Sequence, residues 1–340
     1  MKVLVCANYY YYGNSQAIEP QYYYLYKVSE SMGIKVDFFD HGTANRIGME
    51  QARRVFLNIV KSGKYDTVFI ATHMDEYDEE SLAKARRYAR VIAWNSDDEW
   101  RWESYSKGRV SWYDYMVTNS PDVYEKYKSE HDNLLHAQWA CTGFWDGRNI
   151  EKDIGISFAG KVYGSRKKQL EYLRKKIKIL AFGQGSKNIY QEKYHANNII
   201  ERKKNQLKQF IKTKIYQHMS LDTTLNFQAI NSLWNRSRIS FTPLISSDHT
   251  TLQIKSRVFD MGLSGTLMLA HRAPHLDEYY EPDKEYVPFD SMEDCVEKVK
   301  YYLRHESQRR KIAYAYAERT LAEHMWRHRI ASVLQQANIK

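Results

Sequence analysis

Arg257 and Asp260 stand three residues apart in the stretch QIKSRVFDMGLSGTLMLAHRAPHLDEYYEPDKEYVPFD, Gln253 to Asp290. That spacing puts both on one face of a helix. Both fall near its predicted start, where free backbone N–H groups already favour an anion. A cation, a carboxylate and a helix N-terminus together suit a nucleoside diphosphate. The guanidinium would take phosphate and the carboxylate the ribose hydroxyls. The same two residues could instead form an i,i+3 surface salt bridge, so the surrounding chain has to decide. Gly262 and Gly265 let the backbone close onto an apolar strand at Thr266–Ala270, and a loop and a short strand follow.

Two further groups could do chemistry. Ala159-Gly160-Lys161-Val162-Tyr163-Gly164-Ser165-Arg166 lies between a predicted strand and a helix over Lys167–Lys176. Glycine at a strand end permits close backbone approach to phosphate, and Lys161 and Arg166 add charge. A solvated basic helix start reads equally well. The run Asp97-Asp98-Glu99 follows another strand. It could cap the next helix or imitate a D-x-D site for Mg²⁺ or Mn²⁺ on a diphosphate. His271/His275 and His324/His328 are i,i+4 pairs, but neither carries the H-E-x-x-H glutamate. Cys6, Cys141 and Cys295 match no metal or redox spacing and read as reduced structural thiols.

These groups need a scaffold, and the chain supplies one. Over residues 1–140, strands at Lys2–Ala7, Lys35–Phe39, Thr67–Ala71, Val91–Asn95, Tyr115–Thr118 and Leu134–Gln138 alternate with helical spacing. The helical stretches are Glu19–Met32, Gly48–Lys61, Glu79–Tyr88 and Pro121–Ser129. Alternation of this kind means a parallel sheet covered by helices on both faces, with ligands at the carboxyl ends of the strands. No G-x-G-x-x-G follows the first strand; the loop Asn8–Asn14 holds only Gly13, which disfavours a dinucleotide-binding oxidoreductase. Periodicity lapses around Cys141–Asp153, where we place a linker. A second alternating set follows, with strands at Ile154–Phe158, Lys178–Phe182 and Arg238–Thr242 and helices at Leu221–Trp234, from Ser291 to Leu303, at Ser307–Leu321 and at Glu323–Ala337. The reading is α/β, with two Rossmann-like domains facing across a cleft: 1–145, 153–320, and a terminal helix 321–340 returning to the first.

At 340 residues the chain is comfortable for two domains, and 43% hydrophobic with 27% charged is ordinary for a globular protein. No apolar run is long enough to span a bilayer and the N-terminus enters a strand directly, so a cytoplasmic protein is expected. The net charge of +10 favours a polyanionic partner. A basic stretch, Arg202–Lys214, reads as a solvated insertion or as an arm for DNA.

The pattern as a whole resembles a known family. The segments R-V-F-D-x-x-L-S-G-T-L-M-L, D-E-Y-Y, E-Y-V-P-F and Y-Y-L-R-H-E-S-Q-R-R-K-I-A are similar, in order and spacing, to the C-terminal half of GT-B glycosyltransferases of the spore-maturation (CgeB-like) type. The likeness spans roughly residues 150–330. Tyr24–Asp37 and Arg257–Asp260 also resemble the phage DNA β-glucosyltransferases.

The resemblance implies transfer of a sugar from a nucleoside-diphosphate sugar, commonly a UDP sugar, to an acceptor hydroxyl. Arg257 would hold the diphosphate and Asp260 the ribose, with Asp where the family usually has the longer Glu. Gly160, Lys161 and Arg166 would add phosphate contacts. Relatives of the retaining E-x7-E class carry a second glutamate about seven residues before the first; Thr251, Leu252 and Gln253 occupy that place, which points to inversion. The base of an inverting enzyme would be Asp97, with Asp98 in reserve. Gly13, Glu19 and Gln21 would lie on the sugar and acceptor side. No metal or other cofactor is expected, because cationic side chains serve the phosphates. The implied acceptor is 5-hydroxymethylcytosine in phage DNA. A cell-surface glycan, a lipid-linked intermediate or a protein is the alternative acceptor, and a silent nucleotide- or DNA-binding protein is the alternative from another class.

Overall fold

The computed structural model describes residues 1–11, 15, 17–162, 164–183, 226–246 and 251–339. They form two compact units, one of Met1–Phe144 with Thr320–Lys340, the other of Trp145–Arg319. Gly13 and the basic stretch 202–214 lie outside the described residues.

The first unit is built on six strands: β1 (Lys2–Ala7), β2 (Lys35–Asp40), β3 (Thr67–Ala71), β4 (Arg90–Trp94), β5 (Tyr115–Thr118) and β6 (Leu134–His136). Their order is β2-β1-β3-β4-β5-β6 and every pairing is parallel. β3 is buried at every position, as a strand covered on both faces must be. Edge strand β2 is only partly covered and alternates. The helix Met49–Gly63 buries Ala52, Phe56 and Val60, four residues apart, against this sheet. Asp78 and Ser81 form a capping box that starts the helix Glu79–Ala85. Ser120 and Pro121 start the helix Pro121–Tyr127.

One predicted helix takes another form. Glu19–Met32 contains a π-helical turn, Tyr22–Lys27, before a short α-helix, Val28–Ser31. Bulky tyrosines account for the wider turn. Tyr24 and Leu25 are buried, while Tyr22 stacks on Tyr26 at 4.9 Å and both lie edge-on to Phe38 of β2.

The C-terminal helix Trp326–Gln336 belongs to this first unit. Trp326 is 1% exposed, stacks on Tyr24 at 4.8 Å and meets Trp94 at 5.2 Å. The Cys141 N–H donates to the His324 carbonyl, and the Trp326 N–H donates to the Cys141 carbonyl.

The second unit carries β7 (Ile154–Ala159), β8 (Leu180–Phe182), β9 (Ser237–Thr242), β10 (Leu267–His271) and β11 (Val287–Phe289). Their order is β11-β10-β9-β7-β8, again all parallel. Phe158, Phe241, Leu269 and Phe289 form the sheet's contribution to the core, against Leu170 and Leu173 of the helix Gly164–Lys176. Cys295, Val296 and Val299 of the helix Met292–Arg304 close the same core, and Ser291 caps that helix through the Asp294 N–H. Both units are thus parallel-sheet α/β structures, as the alternation of strand and helix signals predicts.

Candidate functional site

The carboxyl ends of β7, β8, β9 and β10 lie along one edge of the second sheet, because all its strands are parallel. Gly160 follows β7 there with φ of 152°, and its N–H donates to the Phe182 carbonyl at the end of β8. The Arg257 Nη1 donates to the Ala159 carbonyl at 2.8 Å, which plants the guanidinium at the end of β7. A Cβ on residue 160 would come within 2.9 Å of Arg257 Nη1 and 3.1 Å of Nη2. The two predicted phosphate-contacting residues, nearly a hundred positions apart in the chain, are therefore brought together, with glycine the residue type that lets them meet.

Asp260 lies one turn on and is 7% exposed. The helix that carries the pair is shorter than expected: Arg257–Asp260 is a single turn with no side-chain cap. The macrodipole of one turn is small, so the helix start adds little to the positive charge that the guanidinium brings to this edge. Gly265 holds φ of 70°, in the left-handed region, and a Cβ there would meet the Arg148 backbone at 3.0 Å. This is the tight closure onto β10 that the sequence suggests. Gly262 is not among the positive-φ residues.

Lys161 is half-exposed beside Gly160. Arg166 is placed differently from the expectation of an exposed charge: it is 3% exposed, and its Nη2 donates to the Ile245 carbonyl at 2.8 Å. It braces the loop after β9 from inside. His271, at the end of β10, braces the same loop from the other side, its Nδ1 accepting from the Leu244 N–H at 3.1 Å. Burial pushes its pKa down to about 4, so it is neutral near pH 7. Sequence reasoning weighed His271 only as a metal ligand; its position at a strand's carboxyl end was the signal for a place beside the site.

In the first unit Asp97 follows β4 with φ of 61°, an uncommon conformation that Asp tolerates better than most residues. It occupies the N-cap position of the helix Asp98–Arg101, but its side chain makes no capping hydrogen bond. The side chain does not take the capping role that the sequence also allowed. Asn95, behind it, is buried and accepts from Thr72 Oγ1 at 2.5 Å.

Asp98 is fully buried, and its Oδ1 accepts from Ser106 Oγ at 2.6 Å. Burial raises its pKa to about 6. The reserve candidate is thus an interior residue that ties the helix start to the following turn and does not face solvent. Glu19 and Gln21 stand half-buried where the chain returns toward β1: the Glu19 N–H donates to the Tyr9 carbonyl, and Gln21 precedes the π-helical turn.

Among the described residues, no three His, Cys, Asp or Glu side chains are placed to hold a metal ion, and no helix is long and apolar enough to cross a membrane. The three cysteines are buried and unbridged.

Comparison with known proteins accords with this geometry. Residues 170–335 match the family described as glycosyl transferase-like. The match bears out the expected enzyme class, a glycosyltransferase, over those residues. No curated protein matches the chain by sequence. Among solved structures, a glycosyltransferase from Rickettsia africae is similar with a TM-score of 0.58 at 13% identity, covering 99% of this chain and 97% of that one. Anabaena Alr3699/HepE, in complex with UDP and glucose, has a TM-score of 0.58 at 11% identity, covering 99% and 98%. An alpha-glucosyltransferase in complex with UDP-glucose and DNA containing an abasic site has a TM-score of 0.63 at 9% identity, covering 99% of each chain. At such identities the likeness is one of fold, and the fold is that of the GT-B glycosyltransferases.

Proposed function

We propose that this protein transfers a sugar from a UDP sugar to an acceptor hydroxyl, with 5-hydroxymethylcytosine in DNA as the acceptor. The observation that carries the donor assignment is the Arg257 guanidinium seated against Gly160 at the carboxyl edge of the second sheet, with Asp260 one turn on. Two N–H edges of a guanidinium match the oxygens of a diphosphate, and Asp260 supplies the acceptor that ribose hydroxyls need. Gly160 and Lys161 line the same loop. The complexes of Alr3699/HepE with UDP and glucose support a uridine nucleotide.

In the proposed reaction, Asp97 takes the proton from the acceptor hydroxyl as its oxygen attacks the anomeric carbon. The bond from that carbon to the diphosphate oxygen breaks, and the leaving electron pair stays on the diphosphate. Arg257 stabilises the charge that grows there. This displacement inverts the anomeric configuration. Glu19 and Gln21, with Gly13, are assigned to the sugar and acceptor side. No metal enters the reading, since the guanidinium does the work a cation would do.

The DNA acceptor is supported by the net charge of +10, by the likeness to the DNA-bound alpha-glucosyltransferase, and by the resemblance of Tyr24–Asp37 and Arg257–Asp260 to the phage DNA β-glucosyltransferases. A target base would be flipped out of the duplex to reach the site. The setting is the cytoplasm of a bacterial cell or of a phage-infected host.

The test is a transfer assay read by mass spectrometry. The protein is mixed with a panel of nucleotide sugars and DNA containing either cytosine or 5-hydroxymethylcytosine. A sugar-sized mass gain on the modified DNA alone, lost in Arg257→Ala and Asp97→Asn, is the expected result. Release of UDP without any gain on DNA rejects the DNA acceptor and keeps the transferase. No turnover of any donor rejects the reading altogether. NMR of the product's anomeric proton reads inversion against retention.

A further inference from the structure

The second sheet has another end. At the amino ends of β7, β9 and β10, away from Gly160 by the length of a six-residue strand, roughly 20 Å, lies a cavity of about 750 Å³. Six cationic side chains line it: Arg148, Lys152, Arg238, Arg309, Arg310 and Lys311; the acidic lining residues are Glu151 and Glu306.

Three of the cations are bound up in the fold. Lys152 Nζ donates to the carbonyls of Gly147, Asn235 and Ser264 at 2.9, 2.6 and 2.5 Å. Arg309 is paired with Glu306 and donates to the Arg238 carbonyl. Arg148 is paired with Asp146 and Glu318.

The other three are not so committed. Arg238 is exposed, donates over a long 3.4 Å to the Lys152 carbonyl, and acts on the Glu306 carboxylate only through its charge, with no ion pair. Arg310 has a side chain 74% exposed, with Glu306 no nearer than 3.9 Å. Lys311 is exposed and has no ion pair among the described residues. Positive charge is thus left in excess inside a concave wall. The pKa of Lys152 agrees: burial first, then repulsion from Arg309 and Arg310, lowers it to about 8. Tyr314 and Ile150 line the same cavity, 62% and 45% exposed, and offer an apolar wall beside the charges.

We propose that this cavity is a second ligand site, distinct from the donor edge, that binds a small organic polyphosphate through Arg238, Arg310 and Lys311. Guanidinium pairs are suited to adjacent phosphates. The volume falls in the range of sites for molecules of nucleotide size, and the exposed Tyr314 ring can carry a flat organic group. A long polyanion lying on a surface would not need a concave wall. The proposal does not depend on which sugar or acceptor the donor edge serves.

The probes are inorganic tripolyphosphate and ATP, titrated calorimetrically into the full chain carrying Arg257→Ala, so that the donor edge is weakened as a competing phosphate site. Binding of both probes is expected, tighter for ATP. Arg238→Ala with Arg310→Ala should weaken each at least tenfold, while the same pair in the unmodified chain leaves UDP binding unchanged and the melting temperature within a few degrees. Tyr314→Ala should weaken ATP alone. Absence of binding by either probe, or binding unmoved by the paired substitution, overturns the proposal. So does loss of duplex-DNA binding in the paired variant with no polyphosphate binding in the parent, which would make the cavity part of a nucleic-acid surface.

Discussion

Arg257 and Gly160 are in such close apposition that a Cβ at position 160, on a backbone whose φ is 152°, would stand 2.9 Å from Nη1 and the guanidinium would have to move. The guanidinium and the turn have to be considered as one device. Gly160→Ala should push Arg257 off the Ala159 carbonyl. UDP affinity, measured by calorimetry, is expected to fall at least tenfold, about 1.4 kcal/mol. An alanine variant that binds UDP as the parent does would remove Gly160 from the donor site.

Arg257→Lys keeps the charge and loses the planar fork. We expect UDP binding to weaken about tenfold in Lys and by roughly a hundredfold in Ala, in line with a lost charge-assisted contact of about 1.5–3 kcal/mol. Equal effects of the two would mean that charge alone, without geometry, holds the diphosphate.

Asp97 and Asp98 are adjacent and should behave oppositely. If Asp97 is the proposed general base, Asp97→Asn is expected to lower kcat by about 10²–10⁴ with UDP affinity retained. Unchanged turnover would take the base role from Asp97.

Asp98 is a matter of pH and stability. Its pKa is raised in the folded chain, to about 6, so the folded state holds its proton more tightly than the unfolded chain does. That contribution is complete below about pH 4 and is lost as pH rises through 6. Asp98→Asn, which is never charged, should therefore raise the melting temperature relative to the parent at pH 8 by an amount that shrinks to little at pH 4. The gap corresponds to about 3 kcal/mol at most. Thermal melts across that range would contradict the assignment if the gap grew toward acid pH.

Trp326 should be worth more to the first unit than its remote place in the chain suggests. Trp326→Ala leaves a void beside Tyr24 and Trp94 and is expected to cost about 3–5 kcal/mol. Chemical denaturation followed by tryptophan fluorescence would register it.

The sheets were legible because parallel strands buried on both faces leave unbroken apolar runs: Val3-Leu4-Val5-Cys6 and Val68-Phe69-Ile70 have no other good use. Their bounds agree with the expectation to within a residue or two. The short helices were less visible. Tyr22–Lys27 carries no sign of its wider turn, because a π-turn is chosen by how the tyrosines pack on Phe38 and the interior, which is tertiary information. The resemblance implied separate phosphate roles for Arg257 and Gly160; that the guanidinium would sit on the Ala159 carbonyl beside the glycine was not legible in the sequence. The interior placement of Arg166 and Asp98 was not legible, since a charged residue near a strand end reads as solvated until its burial is known. The bracing role of His271 was not legible, because the i,i+4 spacing with His275 suggests a metal and says nothing of the Leu244 N–H it meets in the fold.

The first unit is interrupted by the second. Met1–Phe144 and Thr320–Lys340 share a core, and all of Trp145–Arg319 lies between them in the chain. On the ribosome this sets an order of events. When β1 to β6 have emerged, Tyr24 and Trp94 still lack Trp326, which arrives only after the whole second unit has been made. At about 5–20 residues per second that wait is on the order of 10–40 s. During it the nascent first unit has Trp139 beside Tyr24 and Phe69 beside Trp94 but lacks the ring that stacks on Tyr24, so its solubility at that stage depends on how fast the later half is completed. A release of the chain before Trp326 would leave Tyr24 without that ring for good, and truncation there should show as aggregation during synthesis rather than as a folded protein of lower activity.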